Sequence, residues 1–101
     1  MWTETAWLDL KTTADHIAED SPAYAASFVR EIRDAARSLR SFPNRGRRVP
    51  ELDDESLREL LIHNQRLIYF VSDGSVHVVG LIHAARDLES FWDEEERDPS
   101  E

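Results

Sequence analysis

The chain contains no cysteine, a single lysine, only three glycines and four prolines, and no apolar run near the ~20 residues that a membrane helix needs. Without cysteine there are no disulfide staples, thiolate zinc sites, iron–sulfur clusters or cysteine nucleophiles, so stability must come from packing alone. The shortage of glycine and proline, together with 41% hydrophobic and 33% charged residues, fits a folded globular protein and neither a disordered nor a fibrous one. The start, Met1-Trp2-Thr3-Glu4, lacks the basic region and apolar stretch of a secretory signal, which leads us to expect a cytoplasmic protein. No phosphate-cradling glycine loop and no Gly-x-Ser-x-Gly elbow occurs, and His16, His63, His77 and His83 have no zinc-binding spacing. No metal or cofactor is expected.

What is present is acidic. The formal charge is -9 over 101 residues, which argues against a protein that coats nucleic acid. The charge is uneven, however. Residues 93–101 (DEEERDPSE) carry -5 of it, whereas residues 30–48 carry a local +5 from Arg30, Arg33, Arg37, Arg40, Arg45, Arg47 and Arg48 against Glu31 and Asp34. The length suits one domain, which we place at residues 1–92, followed by a 93–101 tail too charged to join a core and expected to be disordered.

Ala6, Leu10, Ala14 and Ile17 recur at intervals of three and four and predict an amphipathic helix, with Thr3 or Thr5 as its cap. Ser21-Pro22 then begins a second helix, because serine accepts from free N–H groups and proline suits the first helical position. Tyr24, Phe28, Ile32, Ala35 and Leu39 give it an apolar face to about Ser41, with an arginine stripe beside it. The two form an αα-hairpin. Pro43, Gly46 and Pro50 bound a basic loop. Strand patterns follow over 57–62, 65–72 and 75–83, the last two joined by Asp73-Gly74, a strong hairpin signal. The fold class is therefore α+β, an N-terminal αα-hairpin packed on a small antiparallel sheet.

With Asp73 and Gly74 as the turn, Phe70 pairs with His77, Ile68 with Val79 and Arg66 with Leu81. One face then carries Arg66, Ile68, Phe70, His77, Val79, Leu81 and His83. Leu67, Tyr69, Val71, Val76, Val78 and Ile82 occupy the face expected to meet the helices. Arg66 and His83 become diagonal neighbours, with Arg86 just beyond, and His77, Arg66, His83 and Arg86 are the residues from which an active site could be built. The plainer alternative is that His83 merely ends a strand and Arg66 is solvated, paired with Asp87. The arginine stripe likewise reads as a solvated helix face, but Arg45, Arg47 and Arg48 on one short loop suit an acidic partner. Phe91 and Trp92 read as packing a C-terminal turn onto the domain.

In order along the chain, Trp2-Thr3-Glu4-Thr5-Ala6, Asp9-Leu10, Ile17-Ala18-Glu19-Asp20-Ser21-Pro22, Phe42-Pro43-Asn44-Arg45-Gly46-Arg47 and Val49-Pro50-Glu51 are followed by Arg58-Glu59-Leu60, Arg66-Leu67-Ile68-Tyr69 and Ile82-His83-Ala84-Ala85-Arg86-Asp87-Leu88. This succession resembles the ParE/RelE superfamily of type II toxin-antitoxin toxins, also called plasmid stabilisation proteins, and its last segment is closer to the ParE branch.

The resemblance implies a helical hairpin on a curved sheet and a ParD/RelB-like antitoxin that wraps the toxin in a hetero-oligomer. It implies either inhibition of DNA gyrase by association, the ParE habit, or cleavage of messenger RNA on the ribosome, the RelE habit. In the cleavage reading Arg66 and Arg86 hold the scissile phosphate and His83 handles a proton, whereas in the gyrase reading the same three residues contact the target. Lys11 and Trp92 fit a cleavage site poorly, since indole is neither acid nor base. For the antitoxin we expect an amphipathic helix on apolar surface at Trp7, Tyr24 and Phe28, with Arg45, Arg47 and Arg48 at the rim. Two features depart from the family pattern. The usual first strand is missing or very short, or the start lies upstream, and Ala84-Ala85 stand where Gly and Arg are usual. A degenerate toxin that only binds its antitoxin is a third reading.

Overall fold

Thr3 begins the first helix, α1 (Glu4–Ala18), where its hydroxyl accepts from the Ala6 N–H at 3.1 Å. Ser21 caps the second, α2 (Pro22–Ser38), by accepting from the Tyr24 N–H at 3.2 Å, and Pro22 stands in its first turn. α2 stops short of Ser41 because the chain tightens: the Arg40 N–H donates to the Arg37 carbonyl at 3.1 Å and the Ser38 hydroxyl donates to the Ala35 carbonyl at 2.6 Å. Four strands follow, β1 (Arg47–Arg48), β2 (Leu57–Ile62), β3 (Gln65–Ser72) and β4 (Ser75–His83). This computed structural model describes residues 1–85. Arg86, Asp87, Phe91, Trp92 and the 93–101 tail lie outside the described residues.

The sheet has the order β1-β2-β3-β4 with every pair antiparallel, which bears out the expected α+β class. Asp73 and Gly74 both take positive φ, 51° and 75°, as a two-residue hairpin turn requires. β1 was not foreseen. Its two arginines pair with Glu59 and Arg58 inside the expected basic loop, held there by Tyr69. The Tyr69 hydroxyl donates to the Pro43 carbonyl at 2.8 Å and accepts from the Gly46 N–H at 2.9 Å. A Cβ on Gly46 would lie 2.6 Å from the Glu59 carbonyl oxygen and from that hydroxyl, so only glycine lets the loop approach β2.

The expected short first strand is a single parallel bridge between Trp2 and Val78. The Val78 N–H donates to the Met1 carbonyl at 2.7 Å, and the Thr3 N–H to the Val78 carbonyl at 3.0 Å. Farther along the same strand Asp9 accepts from the Leu81 N–H at 3.2 Å, and a carboxylate so placed discourages strand addition.

The register departs from expectation at one point. Tyr69 opposes Val78 but Ile68 opposes Gly80, so Val79 is the extra residue of a β-bulge. Beyond it every β4 residue is displaced by one: Arg66 faces Ile82, and Gln65 faces His83. A one-residue slip exchanges faces. Leu81 therefore joins Leu67, Tyr69 and Val78 against Leu10, Phe28 and Ile32 of the helices, while Ile82 moves to the opposite side with Val49, Leu57, Ile68 and Val79. Both sides of the sheet carry apolar cores.

Candidate functional site

Arg66 is neither solvated nor part of an open site. It is only 5% exposed, and Glu59 beside it is 1% exposed. Its Nε donates to Glu59 at 2.9 Å and its two terminal nitrogens grip Glu51 at 2.5 and 2.7 Å, with a further short bond from Nη2 to Glu59. Arg47 completes the set from the edge strand, donating to the other Glu59 oxygen at 2.8 and 2.7 Å. Two arginines thus face two carboxylates across β1, β2, β3 and the loop after β1. The partnership pushes the Arg66 guanidinium up, chiefly through its bonds to Glu51, and pulls the Glu51 carboxyl down through the same bonds. A guanidinium whose donors are spent in this way has little left for a phosphate.

The bulge also separates Arg66 from His83. Gln65 and His83 pair, and the side chains at 65 and 66 alternate, so His83 belongs to the helix side and Arg66 to the other. The expected diagonal contact does not form. His83 instead lies at the exposed strand end, where its Nε2 meets Asn64 at 3.2 Å and its Nδ1 accepts from the Ala85 N–H at 3.1 Å. His77 stacks on Phe70 with ring centroids 4.8 Å apart, on the Arg66 side but four residues away along β3, about 13 Å. Arg86 lies outside the described residues. Among the described residues Arg66, His77 and His83 are not brought together.

Of the residues expected to meet a partner helix, Trp7 and Tyr24 are open, at 49% and 53% exposure, and Phe28 is not, at 2%. Phe28 corrects the expectation: it stands three residues after Ala25 and four before Ile32, on the side of α2 that fills the core. The loop arginines are exposed but differ in commitment. Arg47 is tied to Glu59, Arg45 donates to the Ser38 hydroxyl at 2.7 Å, and Arg48 stands 3.7 Å from both Asp53 and Glu55.

The fold assembles another site from residues that the sequence placed on a bland helix face. Between α2 and the start of β4 runs a groove of about 810 Å³, lined by Trp2, Trp7, Arg33, Arg37, Arg40 and Val76 among others. Trp2 and Trp7 meet edge to face at 6.1 Å, and the Arg33 guanidinium lies 5.9 Å from the Trp7 ring centre. Arg37 pairs with Asp34 at 3.1 Å on the exposed helix surface. No acidic side chain is among the described residues lining the groove. The arginine periodicity was the legible signal; the tryptophans opposite it depend on the packing of α1 against β4.

A two-helix hairpin on a small four-stranded antiparallel sheet, with an arginine-rich surface, defines a class of small α+β proteins. The family described as "ParE toxin of type II toxin-antitoxin system, parDE" matches residues 1–88. "Toxin RelE2" of Caulobacter vibrioides is 40% identical over 87 residues, covering 85% of this chain and 94% of that protein. A solved structure of the "Chromosomal ParDE TA system from P. aeruginosa" shares the fold, with a TM-score of 0.68 at 21% identity over 81% of this chain and 90% of the other. The chain belongs to the ParE toxin family and is a type II toxin-antitoxin toxin of the ParE/RelE superfamily.

Proposed function

We propose that this toxin stops growth by binding DNA gyrase and blocking replication in the cytoplasm, needs no cofactor, and is silenced by a ParD/RelB-like antitoxin in a hetero-oligomer. The observation that carries the reading is the fate of Arg66. The cleavage mechanism needs it as a phosphate clamp beside His83, yet it is enclosed by Glu51 and Glu59 and lies across the sheet from that imidazole. Association needs no such assembly. The target surface then rests on His83 and Arg86, without Arg66. The antitoxin site keeps Trp7 and Tyr24 as apolar anchors with Arg45, Arg47 and Arg48 at the rim, and Phe28 acts only by supporting α2 from beneath.

The relative named RelE2 keeps messenger-RNA cleavage as the second reading. Pulse-labelling of DNA and protein synthesis after induction without antitoxin separates the two. An early halt in DNA synthesis, with inhibition of gyrase supercoiling by the purified protein, is the expected result. An early halt in translation that His83→Ala abolishes, with antitoxin binding intact, would replace it with the ribonuclease, and antitoxin binding without any growth effect would indicate a degenerate toxin. Charge reversal of Arg45 and Arg48 is expected to weaken antitoxin binding and its salt dependence; unchanged affinity would remove the rim.

A further inference from the structure

We propose that the groove between α2 and β4 receives the acidic segment 93–101 of the same chain, with Arg33, Arg37 and Arg40 holding its carboxylates. The groove places three guanidinium groups around an aromatic floor and has no acidic side chain among its described lining residues. Arg33 faces an indole ring, and neither Arg33 nor Arg40 meets a carboxylate among the described residues. Such a cluster favours an anion, and its volume suits a stretch of peptide better than a single inorganic ion. The most acidic peptide available is in the chain itself, since 93–101 carries six acids and one arginine.

Length permits the contact. The groove lies at the Ser75–Val78 end of β4 and the chain leaves the strand at His83, so the distance to cover from His83 back to Val76 is about 23 Å. The eight residue steps from Ala85 to Asp93 have a contour length of roughly 26–29 Å, more than that distance. A tethered segment also acts at the high effective concentration of an intramolecular ligand, so weak individual contacts suffice.

The absence of cysteine makes the test clean. A spin label on Ser100→Cys in the isotopically labelled full chain is expected to broaden the indole signals of Trp2 and Trp7 and the amide signals of Ser75, Val76 and Val78. High salt should remove the effect, as should Asp93→Asn with Glu94→Gln, Glu95→Gln and Glu96→Gln, which alter no residue of the described core. No broadening of these signals, or broadening that salt and the neutralised tail leave unchanged, overturns the proposal. A mixture of spin-labelled unenriched chain with enriched unlabelled chain supplies the remaining control: broadening that persists there undiminished identifies a second copy's tail as the occupant and overturns the intramolecular assignment. None of these readouts requires toxicity or antitoxin binding, so they stand or fall apart from the proposed function.

Discussion

Arg66 on the sheet and Arg33 on α2 are the same side chain in opposite situations. Arg66 is enclosed, with Glu51 and Glu59 satisfying its donors and Arg47 satisfying the far side of Glu59. Arg33 is exposed and lies against Trp7, in a groove with no acidic side chain among its described lining residues. Sequence position does not distinguish them, because both stand beside apolar residues in a regular element. The difference lies in what the fold brings opposite: carboxylates make an arginine part of the scaffold, and an aromatic surface leaves it available. In this family member the arginine that the cleavage reading uses as a phosphate clamp is held by two carboxylates, and arginines that read as solvated helix charge line a groove beside two tryptophans.

The largest expected effect comes from breaking the enclosed set. Arg66→Ala leaves Glu59 buried without its main partner and should cost about 3–5 kcal/mol, measured by urea unfolding. Replacing the pair together, Arg66→Met with Glu59→Met, should be close to neutral in the same measurement, because Glu51 and Arg47 are open enough to return to water. A pair variant as unstable as the single one would mean that the network, and not the unpaired charge, holds β1 to the sheet. Next comes Tyr69→Phe, which removes the hydroxyl shared by Pro43 and Gly46 and should cost roughly 1–3 kcal/mol, with faster amide exchange at Gly46.

Acid gives a smaller effect of defined sign. Arg66 holds the Glu51 carboxyl below its ordinary value of 4.5, mainly by hydrogen bonding and in opposition to partial burial. A depressed carboxyl contributes its full stability above that value and loses it as pH falls through the folded one. Glu51→Gln should therefore flatten the decline in stability below pH 4.5 and change little of the pH dependence at neutrality, as followed by thermal unfolding across pH. The smallest effect is expected on the open side, where Arg33→Ala and Arg40→Ala should move stability by no more than about 0.5 kcal/mol. A larger loss in calorimetry would place these arginines in the scaffold and erase the contrast.

Much of the architecture was legible because its signals are local. Ser21-Pro22 marks a helix start, Asp73-Gly74 marks a hairpin, and the spacing of Phe28, Ile32 and Leu39 marks a buried face. The spacing that assigns Phe28 to the core also argued against using it as surface, as its burial confirms. The bulge was not legible. Apart from His77, residues 67–71 and 76–79 are apolar on both sides of the sheet, so alternation offers little means of telling a correct register from one slipped by a residue. That single residue decided the site, since it sent His83 and Arg66 to opposite sides. Glu51 and Glu59 carried a weaker clue, because an arginine within an apolar strand needs acids close by, but which acids depends on where β1 returns to β2.

The most direct test of the structural role assigned to Arg66 is growth arrest by the Arg66→Met, Glu59→Met variant, induced without antitoxin and checked for its fold by the near-ultraviolet signal of its tryptophans. If the arginine is scaffold, the folded variant halts DNA synthesis as fast as the unaltered chain. A folded variant that no longer arrests growth, while the unaltered chain does, would show that the Arg66 guanidinium acts on the target itself and would contradict the account.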